Sequence, residues 1–339
     1  MTNIASTATT TSALTVRDLT VSFPLERHRR LIAVDDVGFD LAQGESLGIV
    51  GESGCGKTTV ARCVVGLQRP DSGSISIDGV DVDAVRSSSE RRAMQLIFQD
   101  PYSSLNPRMT IGAMLTQLLS FHDLARGARA EERCRELLAL VGLPADALTR
   151  YPGAFSGGQR QRIAIARALA VEPRVIVADE PVSALDVSIQ ATILELFADL
   201  RDRLGISLVM ISHNLAAVRH VCDRVAVMYL GKLVEVGTTE QVFADPRHPY
   251  TRSLLNAVPQ VRRDPPKNRI RLAGEPPSPL SRPTGCSFHP RCPRAEARCA
   301  TDEPALLAIS DDATRESACF FRDEHMDATL GERVPEERP

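Results

Sequence analysis

An α/β fold around a parallel β-sheet is predicted for this 339-residue chain by three features of its sequence. Short apolar runs of strand length end in glycine or polar residues, helical patterns lie between these runs, and a glycine-rich turn joins one run to a helix. Strands that alternate with helices in this way form parallel sheets. The length is sufficient for one large domain and a smaller appendage.

The glycine-rich turn is the most specific of these features. An apolar run at residues 47–50 has the length of a buried strand, and a helical pattern follows at residues 58–65. The turn, residues 51–58, fits G-x-x-x-x-G-K-[ST], which is the P-loop pattern. Backbone N–H groups of such a turn surround a phosphate, and the helix dipole adds to the attraction. This context disfavours the alternative, a glycine turn with an incidental lysine.

The P-loop pattern also predicts roles for individual side chains. Lys57 is expected to reach the β- and γ-phosphates, and the Thr58 hydroxyl is expected to bind Mg²⁺. Glycines allow the backbone to approach the phosphates closely. The predicted nucleotide ligands are Gly51, Ser53, Gly54, Cys55, Gly56, Lys57, Thr58 and Thr59.

An acidic pair follows another predicted strand. The apolar run at residues 175–178 ends in Asp179 and Glu180, and Pro181 ends the strand. Asp179 is expected to hold the water shell of Mg²⁺, and Glu180 to polarise the attacking water. The alternative is an ordinary strand that ends in two solvated acids, which the P-loop upstream disfavours.

A second phosphate-binding loop is predicted at residues 156–159, with the sequence Ser-Gly-Gly-Gln. It begins a helix with small residues and exposed amides, as the P-loop does. One nucleotide needs a single P-loop, so the second loop is expected to hold a nucleotide bound to another subunit. The sequence therefore predicts a dimer whose closure depends on ATP.

The segment around this second loop resembles the signature motif of the ATP-binding-cassette (ABC) ATPases. Residues 155–162, FSGGQRQR, carry that resemblance, and further motifs stand in the order of the family. Gln99 resembles the glutamine of the Q-loop, residues 183–186 resemble the D-loop, and His213 resembles the switch histidine. The resemblance covers about residues 14–260.

The resemblance implies a fold and a set of residue roles. The fold is a P-loop ATPase core with a parallel sheet, an antiparallel β subdomain, and a helical signature subdomain at about residues 100–165 that docks on membrane subunits. Phe23 would stack on adenine, with core packing as the alternative. The implied catalytic residues are Glu180, His213 and Gln99. The implied Mg²⁺ ligands are Thr58, Gln99 and Asp179. The implied contacts across the dimer are Asp186 of the D-loop and, for the partner's nucleotide, Ser156, Gly157, Gly158 and Gln159.

Three segments narrow the resemblance to the ATPases of dipeptide and oligopeptide permeases: residues 98–107, 179–188 and 248–255. The Pro-Tyr-Ser-Ser variant at residues 101–104 is similar to the second, F-type, of their two ATPase subunits. This implies peptide uptake, a heterodimer with a homologous ATPase subunit, two membrane permease subunits, and a periplasmic or extracellular solute-binding protein. It also implies a peripheral position on the cytoplasmic face of the membrane. Nickel and glutathione importers belong to the same group and remain alternatives.

Four of the eight cysteines lie in the last fifth of the chain: Cys286, Cys292, Cys299 and Cys319. A cytosolic compartment keeps thiols reduced, and these four form none of the close C-x₂₋₄-C pairs of structural zinc sites. Four thiolates can enclose an iron–sulfur cluster, and residues 285–292 resemble the C-terminal extension of peptide-permease ATPases. A 4Fe–4S cluster is predicted, with zinc or no ligand as alternatives. Because the four lie far from the nucleotide motifs in sequence, ATP hydrolysis is expected to be largely independent of them.

The predicted organisation is a disordered tail at residues 1–13, an ABC ATPase domain at residues 14–260 and a C-terminal extension at residues 261–339. The net charge of −3 gives no argument for nucleic-acid binding. No apolar run approaches the length of a membrane span, so membrane contact is expected to go through partner proteins.

Two other classes of function fit the sequence less well. A cassette ATPase of DNA repair would need long coiled-coil heptads or large insertions between the two loops, and this chain has neither. A regulatory GTPase would need an Asn/Thr-Lys-x-Asp motif, and Lys57, Lys232 and Lys267, which are the only lysines, lie in other settings. The sequence favours the ATPase subunit of an importer.

Overall fold

The computed structural model describes residues 12–25, 29–83, 86–100, 104–257 and 277–325. This part of the chain contains two β-sheets, a group of helices between residues 111 and 169, and a C-terminal segment. The predicted tail lies outside the described residues except for Ser12 and Ala13, which begin the first strand.

The smaller sheet is antiparallel and has the strand order β2-β1-β4-β5, where β1 is Ser12–Pro24, β2 is Arg30–Ala42, β4 is Ser72–Ile77 and β5 is Val80–Asp81. Its buried side chains share one hydrophobic core with the P-loop strand and the helix that follows. The sheet corresponds to the predicted antiparallel subdomain. The smaller sheet therefore packs against the strand and the helix that flank the P-loop.

The larger sheet has a parallel centre in the order β9-β3-β8-β7-β6, where β3 is Ser46–Val50, β6 is Met94–Ile97, β7 is Val175–Asp179, β8 is Ser207–Ser212 and β9 is Arg224–Tyr229. These strands are apolar along almost their whole length because helices or the smaller sheet cover both faces. The functional residues predicted after the apolar runs therefore follow neighbouring strands at one edge.

The other end of the larger sheet is antiparallel. Strand β10 (Lys232–Thr238) pairs with β9, and β12 (Asp312–Ser317) pairs with both β10 and β11 (Leu307–Ile309). Two strands from beyond residue 260 thus extend the sheet of the ATPase core. The C-terminal segment is integrated with the core through backbone hydrogen bonds.

The helices lie around the larger sheet. Three of them form the helical subdomain: α3 (Ile111–Phe121), α4 (Gly127–Leu140) and α5 (Gly157–Leu169). The other described helices are α1 (Lys57–Val64), α2 (Ser88–Ala93), α6 (Val187–Leu204), α7 (Leu215–Val221), α8 (Thr239–Ala244), α9 (Pro249–Ala257) and α10 (Ala297–Thr301). No helix in the described ranges has both the length and the apolar character required to cross a membrane.

A buried carboxylate fastens the C-terminal segment to the core. Glu235 on β10 is fully buried and pairs with Arg315 on β12 at 2.7 Å. Its two oxygens also accept the backbone N–H groups of Arg247 and His248, at 2.8 and 2.9 Å. A buried charge of this kind is tolerated because it is paired and fully hydrogen-bonded. The contacts hold the loop before α9 and the strand β12 in one place.

Candidate active site

The P-loop lies between β3 and α1 and depends on glycine where its backbone passes close to neighbouring strands. Gly56 has a φ of 107°, and a Cβ atom there would lie 2.2 Å from the carbonyl oxygen of Ala33 on β2. At Gly51 a Cβ atom would lie 2.1 Å from the carbonyl oxygen of Met228 on β9. A side chain at either position would collide with backbone, which explains these two glycines of the motif.

Lys57 points back into the loop that precedes it. Its Nζ donates hydrogen bonds to the carbonyl oxygens of Gly51 and Glu52, at 2.8 and 2.9 Å, and its side chain is buried. Its third contact is with Sγ of Cys55 at 3.7 Å, and a thiol sulfur is a weak acceptor compared with a phosphate oxygen. The structure therefore places the ammonium group of Lys57 inside the loop that is predicted to surround a phosphate.

Two of the three predicted Mg²⁺ ligands, Thr58 and Asp179, are in contact with each other. The Thr58 hydroxyl donates to Oδ1 of Asp179 at 3.1 Å, which joins the start of α1 to the end of β7. Burial raises the pKa of the Asp179 carboxyl, and the hydrogen bond from Thr58 opposes that shift. One hydroxyl and one carboxylate fit Mg²⁺, which usually completes its coordination with phosphate oxygens and water.

The three predicted catalytic residues meet at one carboxylate. Glu180 accepts a hydrogen bond from Nε2 of Gln99 at 3.1 Å through Oε2, and its Oε1 lies 3.2 Å from Nδ1 of His213. Glu180 has a φ of 49°, in the left-handed region that non-glycine residues seldom adopt. Its backbone N–H donates to Ile211 on β8 at 2.9 Å, which holds this conformation. Such local strain is typical of functional positions and here directs the side chain between the Q-loop and the switch histidine.

The signature loop is built as a helix cap. The Ser156 hydroxyl accepts the N–H of Gln159 at 3.4 Å, and the side chain of Gln159 accepts the N–H of Ser156 at 3.0 Å. Gly158 packs against α6, because a Cβ atom there would lie 2.5 Å from the side chain of Ile189. Asp186 of the D-loop is the residue that precedes α6. Among the described residues, no hydrogen bond joins this loop to the P-loop.

Phe23 lies in β1 and packs, partly buried, against the core of the smaller sheet. This position agrees with core packing, the alternative to its predicted contact with adenine. The adenine contact stays a prediction.

The four C-terminal cysteines converge on one small cavity. Cys286, Cys292, Cys299 and Cys319 line it together with apolar and histidine side chains, and its volume is about 20 Å³. Burial and repulsion between the thiols raise the pKa of Cys292 to about 12 and that of Cys319 to about 11. The space suffices for roughly one water molecule. Across the described ranges, no three His, Cys, Asp or Glu side chains are arranged to hold a metal ion. The observed geometry does not support the predicted 4Fe–4S cluster.

A contact between this cysteine-rich segment and the P-loop has no signal in the sequence. Arg291, next to Cys292, donates to the Glu52 carboxylate from Nη1 at 2.9 Å and from Nη2 at 3.1 Å. The hydroxyl of Tyr250 accepts the backbone N–H of Glu52 at 2.8 Å. The two arginine–glutamate partners are 239 residues apart, so spacing could not reveal the contact. Distance in sequence from the nucleotide motifs was therefore a poor guide to distance in the fold.

Comparison with known proteins places this chain in a family. A putative peptide import ATP-binding protein of Brucella ovis is 50% identical over 304 residues, which are 89% of this chain and 96% of that protein. The chain belongs to the ABC transporter family. The family profile described as ABC transporter matches residues 34–183, and the one described as oligopeptide/dipeptide transporter, C-terminal region, matches residues 234–299.

A second relative and a solved structure support the same family. The di/tripeptide transport ATP-binding protein DppF of Pseudomonas aeruginosa is 45% identical over 93% of this chain and 99% of its own length. An ATP-binding cassette solved as a dimer with ADP and Pi is 27% identical, has a TM-score of 0.59, and covers 67% of this chain and 98% of its own. The predicted family, its cassette fold and its class of activity, ATP hydrolysis, are confirmed.

Proposed function

We propose that this ABC ATPase is the subunit that hydrolyses ATP to power the import of di- or oligopeptides. The observation that carries the chemistry is the meeting of Gln99 and His213 at the Glu180 carboxylate. The peptide substrate is supported by relatives named for peptide and di/tripeptide transport. Nickel and glutathione importers remain the alternatives to be tested.

ATP is proposed to bind on the P-loop, with its phosphates among the backbone N–H groups of residues 51–59 and the Lys57 ammonium. Thr58 and Asp179, which are already in contact, would hold Mg²⁺, and the amide oxygen of Gln99 is the third proposed ligand. When bound, Mg²⁺ neutralises charge on the β- and γ-phosphates. The loop and Lys57 then fix the position of the γ-phosphate, and most of the catalytic effect comes from such positioning.

Glu180 is proposed to orient the attacking water and accept its proton. The carboxylate has one neighbour on each oxygen, Gln99 at 3.1 Å and His213 at 3.2 Å, so its plane is fixed from two sides. A base held within hydrogen-bond reach of its water contributes typically about 10²–10⁴-fold to the rate. Gln99 would also relay closure to the helical subdomain, because it follows β6 at the entrance to that subdomain.

The signature loop, residues 156–159, is proposed to cap the γ-phosphate held by a homologous partner ATPase subunit, and the partner's loop to cap the nucleotide of this chain. Asp186 of the D-loop would lie at the same interface. The support is that Ser156 is the N-cap residue of α5, because the N-terminus of a helix attracts anions. The dimer is proposed to sit peripherally on the cytoplasmic face of the membrane, against two permease subunits that receive peptide from a solute-binding protein.

A transport experiment tests the substrate. The full complex, with permease subunits and binding protein, is reconstituted in vesicles that contain ATP on the ATPase side, and uptake of labelled dipeptide, oligopeptide, glutathione and nickel is compared. We expect peptide uptake that Lys57→Ala abolishes. Uptake of nickel or glutathione alone would assign the chain to one of the alternative importers.

We also propose that the four C-terminal cysteines hold a 4Fe–4S cluster. The proposal is motivated by the four cysteines, which line one cavity, because thiolates are the usual ligands of such clusters. The described conformation offers a cavity of only about 20 Å³, so the four cysteines would have to move apart to hold the cluster. The cluster would supply a structural clamp or a redox-sensing group.

Anaerobic purification decides this second proposal. Brown protein with about four irons per chain is expected, and Cys286→Ser or Cys319→Ser should bleach it, whereas Cys63→Ser and Cys134→Ser should not. Colourless protein with stoichiometric zinc would replace the iron–sulfur assignment with a zinc site. Metal-free protein would leave the cysteines as packed thiols.

A further inference from the structure

Glu52, the second residue of the P-loop, is held at three points. Its carboxylate receives both terminal nitrogens of Arg291, its N–H donates to the hydroxyl of Tyr250, and its carbonyl oxygen accepts from Nζ of Lys57 at 2.9 Å. A bidentate pair between planar groups fixes orientation as well as distance. A displacement of Glu52 would therefore displace an acceptor of the phosphate-binding lysine.

The arginine that holds Glu52 is itself rigidly placed. Arg291 ends a short 3₁₀ helix, His289–Arg291, and only 5% of its side chain is exposed. Phe288, just before this turn, is buried against both Tyr229 and Tyr250, and its ring centroid lies 5.4 and 5.5 Å from theirs. The residue after the turn, Cys292, lines the cysteine cavity. The packing on both sides of the turn fixes the direction of the guanidinium.

The opposite charges of Glu52 and Arg291 also affect the binding of ATP. A carboxylate inside a loop that binds a triphosphate repels the ligand unless a cation neutralises it. The Glu52 side chain is 25% exposed, so water screens only part of its charge. Arg291 supplies the compensating charge from outside the loop and leaves Lys57 available for the phosphates.

We infer that Arg291 and Tyr250 are positioning residues for ATP, acting through Glu52 on the P-loop and Lys57. The C-terminal segment is then part of the support of the nucleotide site, and neither residue touches the reacting atoms. This inference concerns ATP binding on the chain's own P-loop and does not depend on which solute is imported.

The test is a double-mutant cycle on the full-length chain. Binding of a fluorescent ATP analogue and the KM and kcat of hydrolysis are measured for Arg291→Gln, Glu52→Gln and the double variant. Arg291→Gln is expected to weaken ATP binding roughly tenfold, as an uncompensated carboxylate would, with kcat nearly unchanged. The double variant is expected to recover most of the affinity, because both the cation and the repelling carboxylate are gone.

Arg294→Gln is the matched control. Arg294 lies in the same segment and is mostly buried, but its carboxylate partner is Glu324, at 2.5 Å. We expect this variant to bind ATP as the unaltered chain does. Thermal unfolding, followed in parallel, identifies any general loss of stability.

Three results would overturn the inference: unchanged affinity in Arg291→Gln, an equal loss in Arg294→Gln, or a double variant no better than the single one. If Arg291→Gln does not fold, Arg291→Lys replaces it in the same cycle. Lysine keeps the charge but loses the bidentate geometry, so ATP binding should weaken by about threefold. Unchanged affinity in that variant would equally overturn the inference.

Discussion

The P-loop and the signature loop, residues 51–58 and 156–159, both begin helices with small residues but are fixed to the rest of the chain in different ways. The P-loop is held from several directions: it passes close to β2 and β9, and Arg291 and Tyr250 reach it from beyond the parallel sheet. In the signature loop, the side chains of Ser156 and Gln159 instead bond to each other's backbone N–H groups, and Gly158 packs against Ile189 of α6.

This difference teaches what each loop needs in order to work. Around the P-loop, one chain brings together Lys57, the contact between Thr58 and Asp179, and the Glu180 carboxylate. The signature loop forms a helix cap, and among the described residues no hydrogen bond joins it to the P-loop. The proposed dimer, in which the signature loop of each subunit contacts the nucleotide of the other, accounts for both observations.

The largest effect is expected from Glu180→Gln. The amide cannot accept a proton, so turnover at this chain's nucleotide should fall by about 10²–10⁴-fold while ATP binding is retained. The dimer should accumulate with ATP between the two loops. Phosphate release is measured with the partner's own site disabled, and dimerisation is followed by light scattering.

The control for Glu180→Gln is Glu195→Gln, on an exposed part of α6. It should leave turnover and dimerisation unchanged. Undiminished hydrolysis in Glu180→Gln would remove Glu180 from the proposed role.

A paired substitution separates the two loops. Lys57→Ala should weaken ATP binding at this chain's own site, because the ammonium that contacts the phosphates is lost. Ser156→Arg should instead impair hydrolysis at the partner's nucleotide, on the order of 10²-fold, through a bulky cation in the capping position. Nucleotide occupancy and phosphate release are measured in dimers that carry one active site. If both changes affected only this chain's nucleotide, the proposed contact between the signature loop and the partner's nucleotide would be wrong.

The sequence alone was sufficient to locate the residues of the site that belong to short, continuous motifs. Lys57, Asp179 and Glu180 each follow a short apolar run, and the parallel sheet puts the ends of β3 and β7 at the same edge, on either side of β8. There, Thr58 at the start of α1 contacts Asp179. The fold class follows from the same alternation of strands and helices. These inferences needed only periodicity and motif spacing.

The long-range parts could not be predicted in this way. Strand β11 is three residues long and two of them are exposed, so it has no apolar run to reveal it. The pairing of β12 with β10 joins Ser317 to Glu235, far apart in sequence. The contact between Arg291 and Glu52 likewise depends on how the C-terminal segment packs, which no local pattern encodes.

A smaller effect is expected from alanine in the P-loop. Gly56→Ala combines a positive φ with a Cβ atom 2.2 Å from a backbone oxygen, whereas Gly54→Ala has a φ of 79° and open space around its Cβ. The φ penalty alone is about 1 kcal/mol, so Gly54→Ala should lower Tm slightly. Gly56→Ala should lower Tm much more, because the strand β2 must also move. Equal Tm values for the two variants, measured by calorimetry, would show that the close approach to β2 contributes nothing.

The smallest expected effect on stability distinguishes capping from catalysis in the signature loop. Ser156→Ala removes the side-chain oxygen that caps α5, which costs about 1 kcal/mol. Ser87→Ala is the matched control, because Ser87 forms the same type of capping box with Glu90 at the start of α2, away from the signature loop in sequence. The two variants should lower the free energy of unfolding by similar amounts in urea titrations.

Only Ser156→Ala should also slow hydrolysis at the partner's nucleotide, since the Ser156 hydroxyl is proposed to reach the γ-phosphate there. If Ser156→Ala lowered stability as Ser87→Ala does but left the partner's hydrolysis unchanged, the serine would be a helix cap alone, and the glycine amides would have to carry the contact with the second nucleotide.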